Sequence, residues 1–237
     1  MYKGKRILVT ICARGGSKGI PGKNIKSLAG KPLLAHSIKT AQQMGWADRI
    51  MVSTDDEKIK NVAEDWGVPV PFLRPKNLAD DTTSRERVIA EATEQAEQYW
   101  NEQYDIIVDL GNVTPLRLPE DVQAVITMLV EEPETKVVFS VTQAARNPYY
   151  NMVELDENGF AHICKDVGTY ISRRQDTPIV YDMNDGIYAM WRDVYLKERT
   201  VRTDKVRVYV MPPERSIDID RPIDFKIAEL FLKESAQ

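Results

Sequence analysis

The stretch RILVTICARGGSKGIPGKN, residues 6–24, decides the fold class. Residues 6–13 are a nearly continuous apolar run rich in β-branched side chains, which is how a strand covered on both faces reads. A turn follows at once, with Gly15, Gly16, Gly19 and Gly22 set among Arg14, Lys18 and Lys23. Working outward, short strands are expected at 50–53, 106–110, 137–141, 187–191 and 206–210, separated mostly by helical patterns. Between 118 and 131, Val122, Val125, Ile126, Leu129 and Val130 recur at spacings of three and four, so that helix buries one stripe. Thr83 and Glu86 have the spacing of a capping box that opens a helix carrying Val88, Ile89, Ala92 and Ala96. The C-terminal PIDFKIAELFL, opened by Pro222, reads as a last helix packed on the sheet. Strands alternating with helices predict a Rossmann-like α/β fold: a mostly parallel sheet with helices on both faces and a ligand crevice at the carboxyl ends of the strands.

Residues 143–183 break the alternation: they hold turn residues, short apolar pieces and the string SRRQD, but no long amphipathic helix. They read as a small β-rich arm that meets another subunit. With 237 residues the chain is short enough for a single domain over 1–237. Lys and Arg number 32 against 36 Asp and Glu, a net charge of −4 that gives no long-range attraction to nucleic acid or an anionic membrane. Cys12 and Cys164 are too few for a disulfide framework, and neither a leader nor a run of about 20 apolar residues is visible, so a cytoplasmic protein is expected.

The turn after the first strand carries the first chemistry. Glycine lets backbone approach a phosphate and the cations neutralise it, so ARGGSKGIPGKN reads as a polyanion site. It is not a Walker loop, because Ser17 stands five residues before Gly22 and Asn24 replaces the hydroxyl residue. No G-x-G-x-x-G spacing occurs either. A solvated basic turn is the plainer alternative. Near the other end, Asp218 and Asp220 in SIDID lie two residues apart, which in extended backbone points both carboxylates to one side. Two such oxygen ligands suit Mg²⁺. Asp220 also fits the N-cap of the last helix, and Asp224 fits a first-turn charge favoured by the helix dipole.

Together with RPKNLADD (74–81), TPLR (114–117), RRQD (173–176) and SIDIDRPIDF (216–225), the glycine turn resembles the acylneuraminate cytidylyltransferases, in the same order and over almost the whole chain. That resemblance implies transfer of CMP from CTP to the anomeric hydroxyl of a nine-carbon 3-deoxy-2-keto sugar acid, a sialic-acid-like nonulosonate. Pyrophosphate is released, with Mg²⁺, in a homodimer. It implies that the turn, with Gly15, Gly16 and Ser17, holds CTP, with Arg14 and Lys23 on the triphosphate and Asn24 near the nucleotide. Arg74 and Ser84 are further implied nucleotide contacts. Asp218 and Asp220 become metal ligands, with Asp220 or a metal-bound hydroxide taking the sugar's proton. Arg174, Asn184 and Tyr188 fall where the family places sugar contacts. One of the arginines 173 and 174 is then expected to reach a neighbouring subunit's site.

Several positions depart from the family pattern. Its Gln-Pro-Thr-Ser-Pro-Leu-Arg is here Gly111, Asn112, Val113, Thr114, Pro115, Leu116 and Arg117, which removes a glutamine. Asn147, Pro148, Tyr149 and Tyr150 carry no lysine where the best-known sialic-acid enzymes have one. Asn-Gly-Ala-Ile-Tyr becomes Asn184, Asp185, Gly186, Ile187 and Tyr188, which adds a carboxylate. The changes gather on the sugar side, so a legionaminate-type acceptor is as consistent as N-acetylneuraminate. Two other readings stand beside this one: a CMP-Kdo synthetase acting on an eight-carbon acid, and a non-catalytic nucleotide-binding sensor. Residues 53–56 fit a helix cap as well as a site, and His36 and His162 read as structural.

Overall fold

The computed structural model describes residues 1–17, 19–79, 83–169 and 171–234. Lys18 of the glycine turn and Asp80 and Asp81 of RPKNLADD lie outside the described residues. Strand β1 (Ile7–Cys12) forms from the unbroken apolar run, and every residue from Ile7 to Ile11 is buried. Beyond the glycine turn come a two-residue hairpin, β2 (Ser27–Leu28) and β3 (Lys31–Pro32), and α1 (Leu33–Gln43). The alternation then runs β4 (Arg49–Ser53), α2 (Glu57–Asp65), α3 (Arg85–Trp100), β5 (Ile106–Leu110), α4 (Pro119–Glu131) and β6 (Val137–Gln143). The arm carries β7 (Val153–Leu155) and β8 (Ala161–Ile163), and the chain finishes through β9 (Tyr181–Trp191), α5 (Arg192–Glu198), β10 (Val206–Val210) and α6 (Pro222–Glu234).

The central sheet has the order β10-β6-β9-β5-β1-β4. Strands β4 and β5 both pair parallel to β1, and β10 pairs parallel to β6, while β9 is antiparallel to both of its neighbours. The mostly parallel Rossmann-like sheet expected from the sequence is therefore present. The chain leaves β1 toward β4 on one side and then returns to β5 on the other, so order reverses at β1. A crevice opens beyond the strands' carboxyl ends at such a reversal. Alternation along β1 sends Ile7, Val9 and Ile11 to one face, where they meet Leu34 and Ile38 of α1 and Val122 and Val125 of α4. Leu8 and Ile107 face the other side, against Ile89 and Ala92 of α3 and Tyr195 of α5.

Three sequence expectations need correction. Helix α3 is capped by Ser84, whose hydroxyl accepts the Arg87 N–H at 3.3 Å, and not by Thr83. Strand β9 begins at Tyr181, inside the stretch read as arm, because its first residues complete the ladder with Gln143, Thr142 and Val141 of β6. Asp220 does not close the N-terminus of α6: Asp224 does so by reaching back to the N–H groups of Arg221 (2.7 Å) and Asp220 (3.3 Å). Among the described residues no helix is long and apolar enough to cross a membrane.

A third apolar cluster, smaller than the two on the sheet faces, positions the site. Ile20 from the glycine turn, Leu28, Leu33 and Leu116 pack with Ile219, Phe225 and Ala228 near the C-terminus. Ile219 is fully buried, and its N–H donates to the Val113 carbonyl at 2.9 Å. Ile219→Ala is expected to cost about 2–5 kcal/mol in urea unfolding, since it opens a cavity where three segments meet. Ile223→Ala, on a side chain 51% exposed, should cost less than about 1 kcal/mol.

Candidate active site

A cavity of about 620 Å³ opens where the sheet order reverses. The turn after β1 supplies Arg14, Ser17, Gly19, Lys23 and Asn24 to its wall. Arg74, Leu78 and Arg85 come from the β4 side, Gly111 and Asn112 from the end of β5, and Asp185 and Asp220 from the C-terminal half. The two ends of the sequence singled out for phosphate and metal chemistry thus share one wall.

The turn is shaped by a relay of amides. Asn24 Nδ2 donates to the Arg14 carbonyl at 2.8 Å, and Asn112 Nδ2 donates to Asn24 Oδ1 at 2.7 Å. Lys23 is clasped to the far segment: its ammonium donates to the Ile219 carbonyl at 2.5 Å and to Asp220 Oδ1 at 3.2 Å. Gly19 is required by close approach, since a β-carbon there would lie 2.5 Å from the Asp220 carbonyl oxygen. Gly15 and Gly16 do not line the cavity, and the Gly15 N–H is already given to Asp55 Oδ1 at 3.0 Å. Gly15 lets the chain pass Asp56, whose carboxylate a β-carbon would meet at 2.7 Å. Arg74 lines the cavity while its Nε and Nη2 hold Ser53 at 3.2 and 2.6 Å. Ser84 is occupied as the cap of α3 and stands outside the lining, between Thr83 and Arg85, which are both in it.

The aspartate pair is asymmetric. Asp220 is open, with a side chain 75% exposed toward the Lys23 ammonium. Asp218 is largely covered: its Oδ1 accepts the Thr114 hydroxyl and its Oδ2 the Asp185 N–H at 3.2 Å. Burial pushes its pKa up to about 6, against the pull of those two hydrogen bonds, and the negative charges of Asp185 and Asp220 push the same way. The same two charges mark a place where a cation is electrostatically welcome. Among the described residues no three His, Cys, Asp or Glu side chains are gathered for a metal ion. Asp218 and Asp220 fit a hard divalent ion that takes its other ligands from phosphate and water.

The sequence reading missed an interior pair. Alternation along β5 puts Asp109 on the α3 face, fully buried, where it accepts Thr10 Oγ1 at 2.7 Å and Arg85 Nε and Nη2 at 2.9 and 2.6 Å. Arg85 Nη1 also meets Asp185 Oδ1 at 2.8 Å, and the guanidinium lies 4.5 Å from the centre of the Tyr188 ring. Two signals were available: a charge inside the apolar run IIVDL, and an arginine at the first position of a helix, where the dipole disfavours a cation. Arg117, in the TPLR string, is a second buried cation at the site. It binds the Thr114 carbonyl at 2.8 Å and Ser37 Oγ at 2.6 Å, and burial pulls its pKa down to about 9.

The expected sugar contacts do not gather in one chain. Asn184 is buried and its amide is used internally, on Ser140 at 2.5 Å, Ser216 at 3.0 Å and the Gly186 N–H at 3.2 Å. It does not line the main cavity. Tyr188 borders a smaller neighbouring pocket and donates to Asp185 Oδ1 at 3.3 Å. Arg174 stays on the arm, donating to the Ala144 carbonyl at 2.9 Å, outside the main cavity.

A family model described as cytidylyltransferase matches residues 8–234. The chain belongs to the cytidylyltransferase family. Post-translational flagellin modification protein B of Campylobacter coli is 34% identical over 228 residues, 96% of this chain and 95% of that one. The CMP-N,N'-diacetyllegionaminic acid synthases of Campylobacter jejuni and Legionella pneumophila are 35% and 31% identical, over 95% and 96% of this chain and 94% and 97% of theirs. In fold, the cytidylyltransferase is similar to a CMP:2-keto-3-deoxy-manno-octonic acid synthetase solved with CTP, with a TM-score of 0.72, 18% identity and coverage of 97% and 99% of the two chains. Membership makes this protein a nucleotidyltransferase.

The raised pKa of Asp218 predicts a pH signature in the metal-free protein. A folded pKa of about 6 against about 3.9 unfolded means the native state holds more protons between those values, so stability falls as pH rises through that window. Asp218→Asn removes that charge at the loss of one acceptor. Thermal melts should show it more stable than wild type by about 1–2 kcal/mol at pH 7.5, with the advantage gone near pH 4.

Proposed function

We propose that this cytidylyltransferase transfers CMP from CTP to the anomeric hydroxyl of a nine-carbon 3-deoxy-2-keto sugar acid of the legionaminate or N-acetylneuraminate type, releasing pyrophosphate. The observation that carries the reading is the contact of Lys23 with Asp220 and the Ile219 carbonyl, which sets cations and carboxylates around one cavity. The relatives named for legionaminic, pseudaminic and N-acylneuraminic acids support the acceptor class. The likeness to the octonic acid synthetase is a likeness of fold and does not favour the eight-carbon acceptor. A nucleotide sensor has no need of a carboxylate held at Asp218 against the cost of its burial.

Attack on the α-phosphate builds charge on its equatorial oxygens and on the leaving pyrophosphate, and fixed cations stabilise both. Arg14 and Lys23 supply that charge from the turn, and Arg74 and Asn24 bound the nucleotide's side of the cavity. Asp218 and Asp220 would hold Mg²⁺, which when bound supplies Lewis-acid polarisation of the phosphate. In this reading Asp220, open and beside Lys23, accepts the hydroxyl proton. Pyrophosphate release with CTP, Mg²⁺ and a panel of eight- and nine-carbon sugar acids tests the whole. A nine-carbon acid is expected to be preferred, and preference for the eight-carbon acid, or CTP binding without release on any acid, would overturn the reading. Lys23→Gln should lower kcat by about 10²–10³-fold while the fold is retained, as followed by circular dichroism.

The arm supports a homodimer. Leu155 and Phe160 of its hairpin are 70% and 67% exposed, and Ile179 beside Arg174 is 67% exposed. Large apolar side chains exposed on a small arm favour a covering partner, and in this reading a second copy of the chain is that partner. Light scattering should give a dimer for the wild type and a monomer for the Leu155→Lys, Phe160→Lys double variant. A monomeric wild type would remove the expected reach of Arg173 or Arg174 into a neighbouring subunit's site.

A further inference from the structure

The stretch between Met183 and Tyr188 is the least regular part of the central sheet. Strand β6 pairs Phe139 with Tyr188 and Val141 with Met183, so Asn184, Asp185, Gly186 and Ile187 stand opposite the single residue Ser140. A bulge re-aims side chains out of the ladder. Here its base is pinned, because Ser140 Oγ donates to Asn184 Oδ1 at 2.5 Å and accepts the Ile187 N–H at 2.8 Å. The residue carried outward is Asp185, which borders both the main cavity and the adjoining pocket of about 220 Å³.

Asp185 is held from three directions. Its N–H donates to Asp218 Oδ2 at 3.2 Å, and its Oδ1 faces Arg85 Nη1 at 2.8 Å and the Tyr188 hydroxyl at 3.3 Å. Its side chain nevertheless remains 55% exposed. It is not needed to neutralise Arg85, which already gives two hydrogen bonds to the buried carboxylate of Asp109. The negative charge is therefore a surplus presented to the cavity. Its place depends on residue 111: a β-carbon on Gly111 would lie 1.5 Å from the Asp185 carbonyl oxygen, and the Gly111 N–H donates to the Gly186 carbonyl at 3.0 Å. Gly111 and Asp185 are in this sense one feature, the first leaving the room that the second fills.

A fixed carboxylate accepts hydrogen bonds and repels anions. The triphosphate of CTP is drawn to Arg14 and Lys23 and repelled from Asp185, whereas a polyhydroxylated, acylaminated sugar acid offers several donors and a single carboxylate. We propose that Asp185 is a specificity-determining residue for the acceptor: it takes a hydrogen bond from a hydroxyl or acylamido N–H of the sugar acid. Its charge also turns the acceptor's own carboxylate away, so that the acceptor enters in one orientation. The inference rests on the sugar-acid reading given under Proposed function.

The test measures KM and kcat for both substrates with wild type, Asp185→Asn, Asp185→Glu and Gly111→Ala, using a sugar acid and analogues that each lack one donor by deoxygenation or N-methylation. With Asp185→Asn, kcat/KM for the parent acid at saturating Mg²⁺ is expected to fall about 10- to 100-fold, with CTP KM unchanged within twofold. Preference for the parent over one particular analogue should collapse in that variant and be partly restored by Asp185→Glu. Gly111→Ala, if folded, should show the same acceptor-side loss. An active wild type whose Asp185 variants keep the full preference at saturating Mg²⁺, or lose CTP affinity instead, overturns this inference alone. A wild type that accepts no sugar acid overturns the acceptor reading, and this inference with it.

Discussion

The site depends on a clasp between two segments almost two hundred residues apart. Lys23 reaches the Ile219 carbonyl and the Asp220 carboxylate, Gly19 passes under the Asp220 carbonyl, and Ile20 packs with Ile219 and Phe225. The apolar contacts supply most of the free energy, since an exposed ion pair such as Lys23 with Asp220 contributes little by itself. The polar contacts set register. Without the packing of Ile219 the cations of the turn would face solvent, and the aspartates would be two charges on a surface segment.

Around that clasp the protein carries more buried charge than stability alone would favour. Asp109 and Arg117 are withdrawn from water and Asp218 is largely covered, and the last two are pushed toward their neutral forms. Burying ions is costly unless every lone pair and proton finds a partner. Asp109 is satisfied by Thr10 and Arg85, whereas among the described residues Arg117 is held by carbonyls and a serine and by no carboxylate at hydrogen-bonding distance. Such a frame costs folding energy and in return holds dipoles and charges in fixed directions, the condition under which they lower a barrier that develops charge.

Much of this was legible from residue order. β-Branched runs gave β1 and β5 almost to the residue, because strands covered on both faces leave no polar alternation to misread. The antiparallel course of β9 was not legible, since strand direction is set by what lies beside it. Ser84 and Thr83 were exchanged as caps because adjacent hydroxyl residues satisfy the same local rule. Asn184 was read as a ligand contact on pattern, and only the bulge opposite Ser140 explains why its amide turns inward.

What the sequence determined by itself is the chemistry of short segments: a buried strand running into a cationic glycine turn, an aspartate pair, and a family resemblance spread over the whole chain. These depend on neighbours within a few residues, and local sterics and periodicity fix them. Tertiary structure alone decided which charges meet. Arg85 finds Asp109 because one helix lies over one face of one strand, and Asp185 finds its place because Gly111, just past the end of β5, has no side chain. Contacts between residues far apart in the chain depend on packing geometry, which no local pattern encodes.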